Sequence, residues 1–350
     1  MKLKFNTEIR IGTYSLSSQD PVFVIAEAGV NHNGKMDLAF KLIDVAAEAG
    51  AHAVKFQAFK TEELILPDVE KASYQKQTTD SSESQFNMLK KLEVNQKQFL
   101  ELKAYCAKKN IMFLVTPFDE VSLEELDALN VDAYKVASTD ITNLPFLKRI
   151  AKKGKPVILS TGMSYLEEVE LALQEIHAYN KNVILLHCTG NYPVPENEVN
   201  LNVLHTFAEK FDILTGYSDH TVGIGASPYA VAFGAKVLEK HFTLDKGMEG
   251  PDHRASLSPE ELMIYMKEVK KVETMMGSFV KRPQLSETET RASLQKSFVA
   301  KQKIKKGEPF SDENIIAKRC GGKGLSPVFY HQIVGKIAAR DFAPNEVIHL

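Results

Sequence analysis

Eight short apolar runs, each followed by a stretch with helical spacing, leave few folds open to this chain. The runs are VFVIAE, HAVKFQ, IMFLVT, DAYKVAS, PVILST, NVILLH, DILTGYSD and AKVLEKH. They are rich in Val, Ile, Leu and Phe without in-out alternation, which is how strands covered by helices on both faces read. Between them, KMDLAFKLIDVAAEAG, VNQKQFLELKAYCAKKN and SYLEEVELALQEIHAYN carry apolar residues near the 3.6 period. The first two stop at Gly50 and Asn110, residue types suited to the turn that ends a helix. Eight β/α units over roughly 250 residues predict an α/β fold, the (β/α)8 TIM barrel. A doubly wound sheet is the structural rival.

At 350 residues the chain exceeds the usual size of one domain. After the helix SPEELMIYMKEVKKVETMMG charged residues dominate through Arg291. Then SFVAKQKIKKGEPF and KIAARDFAPNEVI show strand-like alternation with turn residues. The expected division is a barrel over 1–277, a linker over 278–296 and a small β-rich domain over 297–350. The stretch from Thr61 to Glu93 is too long for a simple βα connection and would serve as a lid.

Composition narrows the function classes. With a formal net charge of −2 and acids and bases interspersed, there is no basic footprint for nucleic acid. No apolar run approaches the eighteen or so residues of a membrane span, and MKLKFNTEIRIG contains no apolar signal segment, so a cytoplasmic location is expected. Cys106, Cys188 and Cys320 are widely spaced, which argues for reduced thiols rather than disulfides or a cysteine metal cage.

TIM-barrel enzymes place their active sites at the carboxyl ends of the strands, so polar residues ending the apolar runs are the functional candidates. In order they are Glu27, Lys55 and Gln57, Thr116, Lys135 and Ser138, Ser160 and Thr161, His187, Ser218 with Asp219 and His220, and Glu239 with His241. Lys55 and Lys135 would hold a phosphate or carboxylate as point charges. Ser138, Ser160 and Thr161 add hydroxyls, although the last two also suit simple capping of the next helix. His220 and His241 end the seventh and eighth strands and would share a divalent metal, with Asp219, Glu239 and Asp252 supporting the imidazoles from behind or adding further oxygen partners. Such a site suits Mn, Fe, Co or Zn acting on a carbonyl oxygen. Glu27 would act as general acid or base, or else simply pair with Lys55. His32 is a weaker candidate.

The segments AEAGVNHNG, VKFQAFK, TPFDE, YKVAS, LSTGM, LHCTGNYP, GYSDHT, LEKHFTLD and GPDHRASL together resemble the signature of N-acetylneuraminate and related nonulosonate synthases. KKGEPFSDENIIAKRCGGKGLSP resembles the antifreeze-like (SAF) β-clip domain that ends those enzymes. The resemblance implies a transferase that condenses phosphoenolpyruvate with the open-chain aldehyde of N-acetylmannosamine, or a related N-acylated amino sugar, to give N-acetylneuraminate and phosphate. It implies a divalent metal on His220 and His241, Mn2+ by preference and Mg2+ or Co2+ as alternatives. Lys55, Lys135, Ser138 and Ser160 would bind phosphoenolpyruvate; Gln57, Tyr192 and Asp252 would line the sugar region; Thr116 and Glu239 would complete the substrate-facing set; Glu27 would manage protons. It further implies a domain-swapped homodimer in which Arg319 reaches the N-acyl group in the partner's barrel. Two departures stand out. The family's KRPGxG reads KRCGGKG here, and Gly190 occupies a position that is often polar, so that Asn191 or backbone N–H would take over the contact.

The nearest rival is an N,N'-diacetyllegionaminate synthase acting on a 2,4-diacetamido-trideoxy sugar, with which the chain shares the YQ, ESQ and KKLE pattern at Tyr74, Ser84 and Lys90. A pseudaminic acid synthase is more distant. From another class, a non-catalytic carbohydrate-binding protein would be a degenerate barrel, against which the joint presence of Glu27, Lys55, Lys135, His220 and His241 argues.

Overall fold

The computed structural model describes residues 3–71, 79 and 83–349. Two compact units emerge, Met1–Gly277 and Ser278–Leu350. The first opens with an antiparallel hairpin of β1 (Ile9–Ile11) and β2 (Tyr14–Leu16). Eight strands follow: β3 (Phe23–Gly29), β4 (Ala53–Ala58), β5 (Met112–Pro117), β6 (Tyr134–Val136), β7 (Val157–Ser160), β8 (Val183–Cys188), β9 (Leu214–Asp219) and β10 (Val237–His241). Their order in the sheet is β5-β4-β3-β10-β9-β8-β7-β6, with parallel pairs throughout. β5 and β6 lie side by side, bringing the two ends of the sheet together into the expected TIM barrel.

The helices are α1 (Met36–Glu48), α2 (Thr61–Leu64), α3 (Gln85–Lys90), α4 (Gln96–Lys108), α5 (Glu120–Ala128), α6 (Leu144–Lys152), α7 (Leu166–His177), α8 (Val203–Phe211), α9 (Ser227–Ala232) and α10 (Pro259–Met276). Their ends follow the chain chemistry. Asn95 caps α4 through a reciprocal bond with Gln98, and Asn110 turns out of it at φ 55°. Of the supposed lid, α2 and α3 are described, whereas Tyr74 lies outside the described residues.

Strand alternation divides the apolar side chains into two layers. Phe23, Ile25, Ala53, Leu114, Ile158, Ile184, Leu186 and Val237 fill the barrel interior together with Ile9, Ile11 and Leu16 of the hairpin. Val24, Ala26, Val54, Val115, Leu159, Leu185 and Leu238 face outward and pack with Leu42, Leu102, Leu147 and Leu173 of the helices. Each strand is buried on both faces, which explains its continuous apolar run. The polar residues begin where the interior layer ends.

In the second unit α11 (Thr288–Leu294) precedes β11 (Lys296–Ala300), which pairs antiparallel with β12 (Ile315–Arg319), and α12 (Tyr330–Ile333) follows. Phe298, Ile304, Phe310, Ile315, Ile333, Phe342 and Ile348 form its core. Among the described residues no helix is long and apolar enough to cross a membrane.

Candidate active site

The carboxyl ends of the strands surround a cavity of about 610 Å³. Strand register sets Glu27 beside Lys55 and His241 beside Glu27, so inward residues of three adjacent strands meet. Lys55 Nζ lies 2.9 Å from Glu27 Oε2 and 3.7 Å from Glu239 Oε2, and it donates to Thr116 Oγ1 at 2.9 Å. Lys135 Nζ lies 3.4 Å from Glu239 Oε1, which also accepts from Ser218 Oγ at 3.0 Å. Gln57 Nε2 donates to Glu27 Oε1 at 3.3 Å. Two ammonium groups and two carboxylates therefore share one buried floor.

The two carboxylates are not equivalent. Burial would raise Glu239, but Lys135 and Lys55 hold it down to about 2. Burial pushes Glu27 up to about 7 against the pull of Lys55. One carboxylate is a fixed charge, and the other titrates near neutrality, the condition that suits proton transfer. Burial lowers the Lys135 ammonium in spite of Glu239, whereas Glu239 and Glu27 raise Lys55 against the same burial cost.

Beside the lysines the backbone approaches closely. Gly162 N donates to Ser138 Oγ at 2.8 Å, and a Cβ on Gly162 would fall 2.9 Å from that hydroxyl and 3.2 Å from Gly190 N. Only glycine fits. Ser160 Oγ is buried without a hydrogen-bond partner among the described residues. Ammonium groups, hydroxyls and a glycine-lined backbone together suit an oxyanion.

On the other side the rings of His220 and His241 lie 5.6 Å apart. His220 Nδ1 meets the Thr189 carbonyl at 2.8 Å, so it carries the proton and leaves Nε2 as acceptor of the Tyr192 hydroxyl at 2.7 Å. His241 Nδ1 is buried without a partner among the described residues. Burial, His220 and Lys55 push His241 far down, keeping it neutral, the form that binds metal. A carbonyl-fixed tautomer on one ring and an unsatisfied nitrogen on the other fit a divalent cation. Among the described residues no set of three His, Cys, Asp or Glu converges on one point, so these two rings are the protein's evident donors. Asp252 also lines the cavity, pushed up to about 6 by burial against the effect of His220.

Glu27, Lys55, Gln57, Thr116, Lys135, Ser138, Ser160, Tyr192, His220, Glu239, His241 and Asp252 thus line one cavity. Asn191 does not: its Nδ2 donates to the Pro193 carbonyl at 3.2 Å, and Gly190 lines the cavity instead. Arg319 is exposed at the end of β12 in the second unit, opposite Lys296. Thr161 Oγ1 donates to the Leu186 carbonyl, and His187 Nε2 meets the Val199 carbonyl, so both are tied to backbone. His32 is buried outside the cavity lining. Asp219, expected either behind the imidazoles or as an oxygen partner of the metal, points to the opposite face of β9 because Ser218 beside it points inward, which leaves only the first place open. Two features escaped the sequence reading. Cys188 lines the cavity with Sγ 3.7 Å from His220 Nδ1, and it ends β8 as the other candidates end their strands. The second is an apolar side formed by Val30, Leu64, Ile65, Met88, Leu89 and Phe118.

The NeuB family model matches residues 42–281, and the SAF domain model residues 295–350. N,N'-diacetyllegionaminic acid synthase of Campylobacter jejuni is 48% identical over 93% of this chain and 98% of its own length. Human N-acetylneuraminate-9-phosphate synthase is 38% identical over 92% of this chain and 89% of its own. The solved N-acetylneuraminic acid synthetase of Leptospira borgpetersenii superposes with a TM-score of 0.75 at 38% identity, covering 83% of this chain and 98% of that one. The matches span the barrel and the terminal domain alike, and the chain belongs to the NeuB family of sialic and legionaminic acid synthases.

Proposed function

We propose that this enzyme condenses phosphoenolpyruvate with the open-chain aldehyde of an N-acylated amino sugar and water, giving a nonulosonic acid and phosphate. The observation that carries the reading is the single cavity in which Lys55 and Lys135 flank Glu239 while His220 and His241 stand opposite. An anion site beside an electrophile site is what joining an enol phosphate to an aldehyde requires.

Lys55, Lys135, Ser138 and Ser160 hold the phosphate and carboxylate, with Gly162 admitting the backbone. A divalent cation held by His220 and His241, Mn2+ by preference and Mg2+ or Co2+ otherwise, would supply Lewis-acid polarisation of the aldehyde oxygen. The phosphoenolpyruvate C3 forms a bond to the aldehyde carbon, leaving an alkoxide on that carbon and a cationic C2. Water adds at C2 and passes one proton through the Glu27 carboxylate to the alkoxide, which becomes a hydroxyl. The C2–O bond to phosphate then breaks, phosphate leaves with the proton of the C2 hydroxyl, and C2 becomes the ketone. Thr116 holds Lys55, Glu239 holds both lysines, and Gln57, Tyr192 and Asp252 face the sugar.

The apolar side from Val30 to Phe118 favours an acceptor with a methyl terminus, the 2,4-diacetamido-trideoxy sugar, over N-acetylmannosamine, and the name of the Campylobacter relative supports the same choice. Arg319 of a partner subunit would meet the N-acyl group in a domain-swapped homodimer. Phosphate release from phosphoenolpyruvate with Mn2+, measured with each sugar with and without EDTA, tests the reading. EDTA-sensitive release that favours the trideoxy sugar is expected, and release with neither sugar refutes the chemistry.

A further inference from the structure

The two imidazoles are braced from behind. In β9 and β10, Ser218, Glu239 and His241 face the cavity, so Asp219 and Lys240 point to the opposite face of the sheet. There Lys240 Nζ lies 3.1 Å from Asp219 Oδ1, with side-chain exposures of 1% and 0%. Asp219 also accepts from Thr221 N at 2.8 Å, Thr221 Oγ1 at 2.5 Å, Ser227 N at 2.9 Å and Ser227 Oγ at 2.7 Å. Lys240 Nζ donates to the Thr221 carbonyl at 2.5 Å. The turn is folded onto this pair: Gly225, at φ +64°, would place a Cβ 1.8 Å from Thr221 Oγ1 and 3.0 Å from both Asp219 Oδ2 and Lys240 Nζ.

Neither charged residue lines the cavity. Buried ion pairs add little stability over apolar replacements, so such a fully bonded pair calls for another use. Each member immediately precedes one of the imidazoles, His220 after Asp219 and His241 after Lys240. We propose that Asp219 and Lys240 are positioning residues for the imidazole pair, tying β9 to β10 and clamping Thr221 so that His220 and His241 keep their separation. This rests on the reading of those histidines as a metal site.

The test uses the full chain and Mn2+ as probe. Free Mn2+ is titrated by electron paramagnetic resonance in the wild-type chain, in Lys240→Met and in Thr221→Val, with near-ultraviolet dichroism reporting folding. Folded Lys240→Met is expected to bind Mn2+ about tenfold to a hundredfold more weakly, as losses behind a metal ligand do. Its phosphoenolpyruvate KM should stay within about twofold, the margin of an untouched charge site. Thr221→Val removes the bridging hydroxyl without stranding a charge, and it should weaken Mn2+ binding in the same direction should Lys240→Met not fold. A lowered Tm with unchanged Mn2+ affinity in a folded variant makes the pair merely structural and overturns the inference alone. A wild-type chain that binds no Mn2+ overturns the metal reading, and this inference with it.

Discussion

Lys55 Nζ lies 2.9 Å from Glu27 Oε2, with both side chains almost wholly buried. The pair keeps a titratable carboxyl, at about 7, in a cavity whose other carboxylate is held at about 2. Glu27→Gln should lower kcat by about 10²- to 10⁴-fold, the range for a lost general base. In the wild-type enzyme kcat should climb as pH rises through about 7, when the carboxylate forms. The pH–rate profile of the variant should lack that limb; a limb that persists assigns the proton elsewhere.

The same group links stability to pH. Its folded pKa lies above the ordinary value of 4.5, so its contribution is full below about 4.5 and is lost as pH rises through about 7. Glu239 acts in another window: its stabilising contribution is present above 4.5 and lost as pH falls through about 2. Urea unfolding at pH 5 and pH 8 should therefore show the wild-type chain losing more stability on this step than Glu27→Gln.

His241→Ala is expected to abolish phosphate release, by at least about a thousandfold, while circular dichroism stays native. EDTA should reproduce the loss in the wild-type enzyme. Unchanged turnover of the variant in Mn2+-replete buffer would show that His241 holds no metal.

Lys135→Met removes one ammonium from the anion side without touching the imidazoles. Loss of a charge-assisted contact should raise the phosphoenolpyruvate KM by about tenfold to a hundredfold. Equal effects on both substrates would place the lysine outside the phosphate contact.

Arg319→Ala should raise the KM for the sugar about tenfold and leave that for phosphoenolpyruvate alone. A rise in the phosphoenolpyruvate KM instead would contradict the N-acyl contact.

Much of this architecture is readable before any coordinates. The barrel is legible because doubly buried strands write continuous apolar runs and helices write a 3.6 period. The positions of Glu27, Lys55, Lys135, His220 and His241, as distinct from their roles, follow from the rule that a polar residue ending a barrel strand faces the mouth. Residues beyond the strand ends are harder. Asn191 turns to Pro193, and Thr161 to Leu186, because local backbone acceptors win over the cavity, and no pattern announces that. For Asp219 the two alternatives separate on parity: Ser218 faces the cavity, so Asp219 falls on the other face and can act only from behind the imidazoles. The apolar side draws on α2 and α3, which are too short to carry a periodic signal.

The β1–β2 hairpin makes the barrel a vessel with one door. Ile9, Ile11 and Leu16 stopper its amino-terminal end. Everything that enters must leave by the same mouth. Lys55 and Lys135 sit at the bottom, each 3% exposed, whereas Gln57, Tyr192 and Asp252 stand partly open above them. On the proposed chemistry a sugar resting on the upper residues bars the way to the lysines, so the enol phosphate must load first. The sequence of arrivals is built into depth.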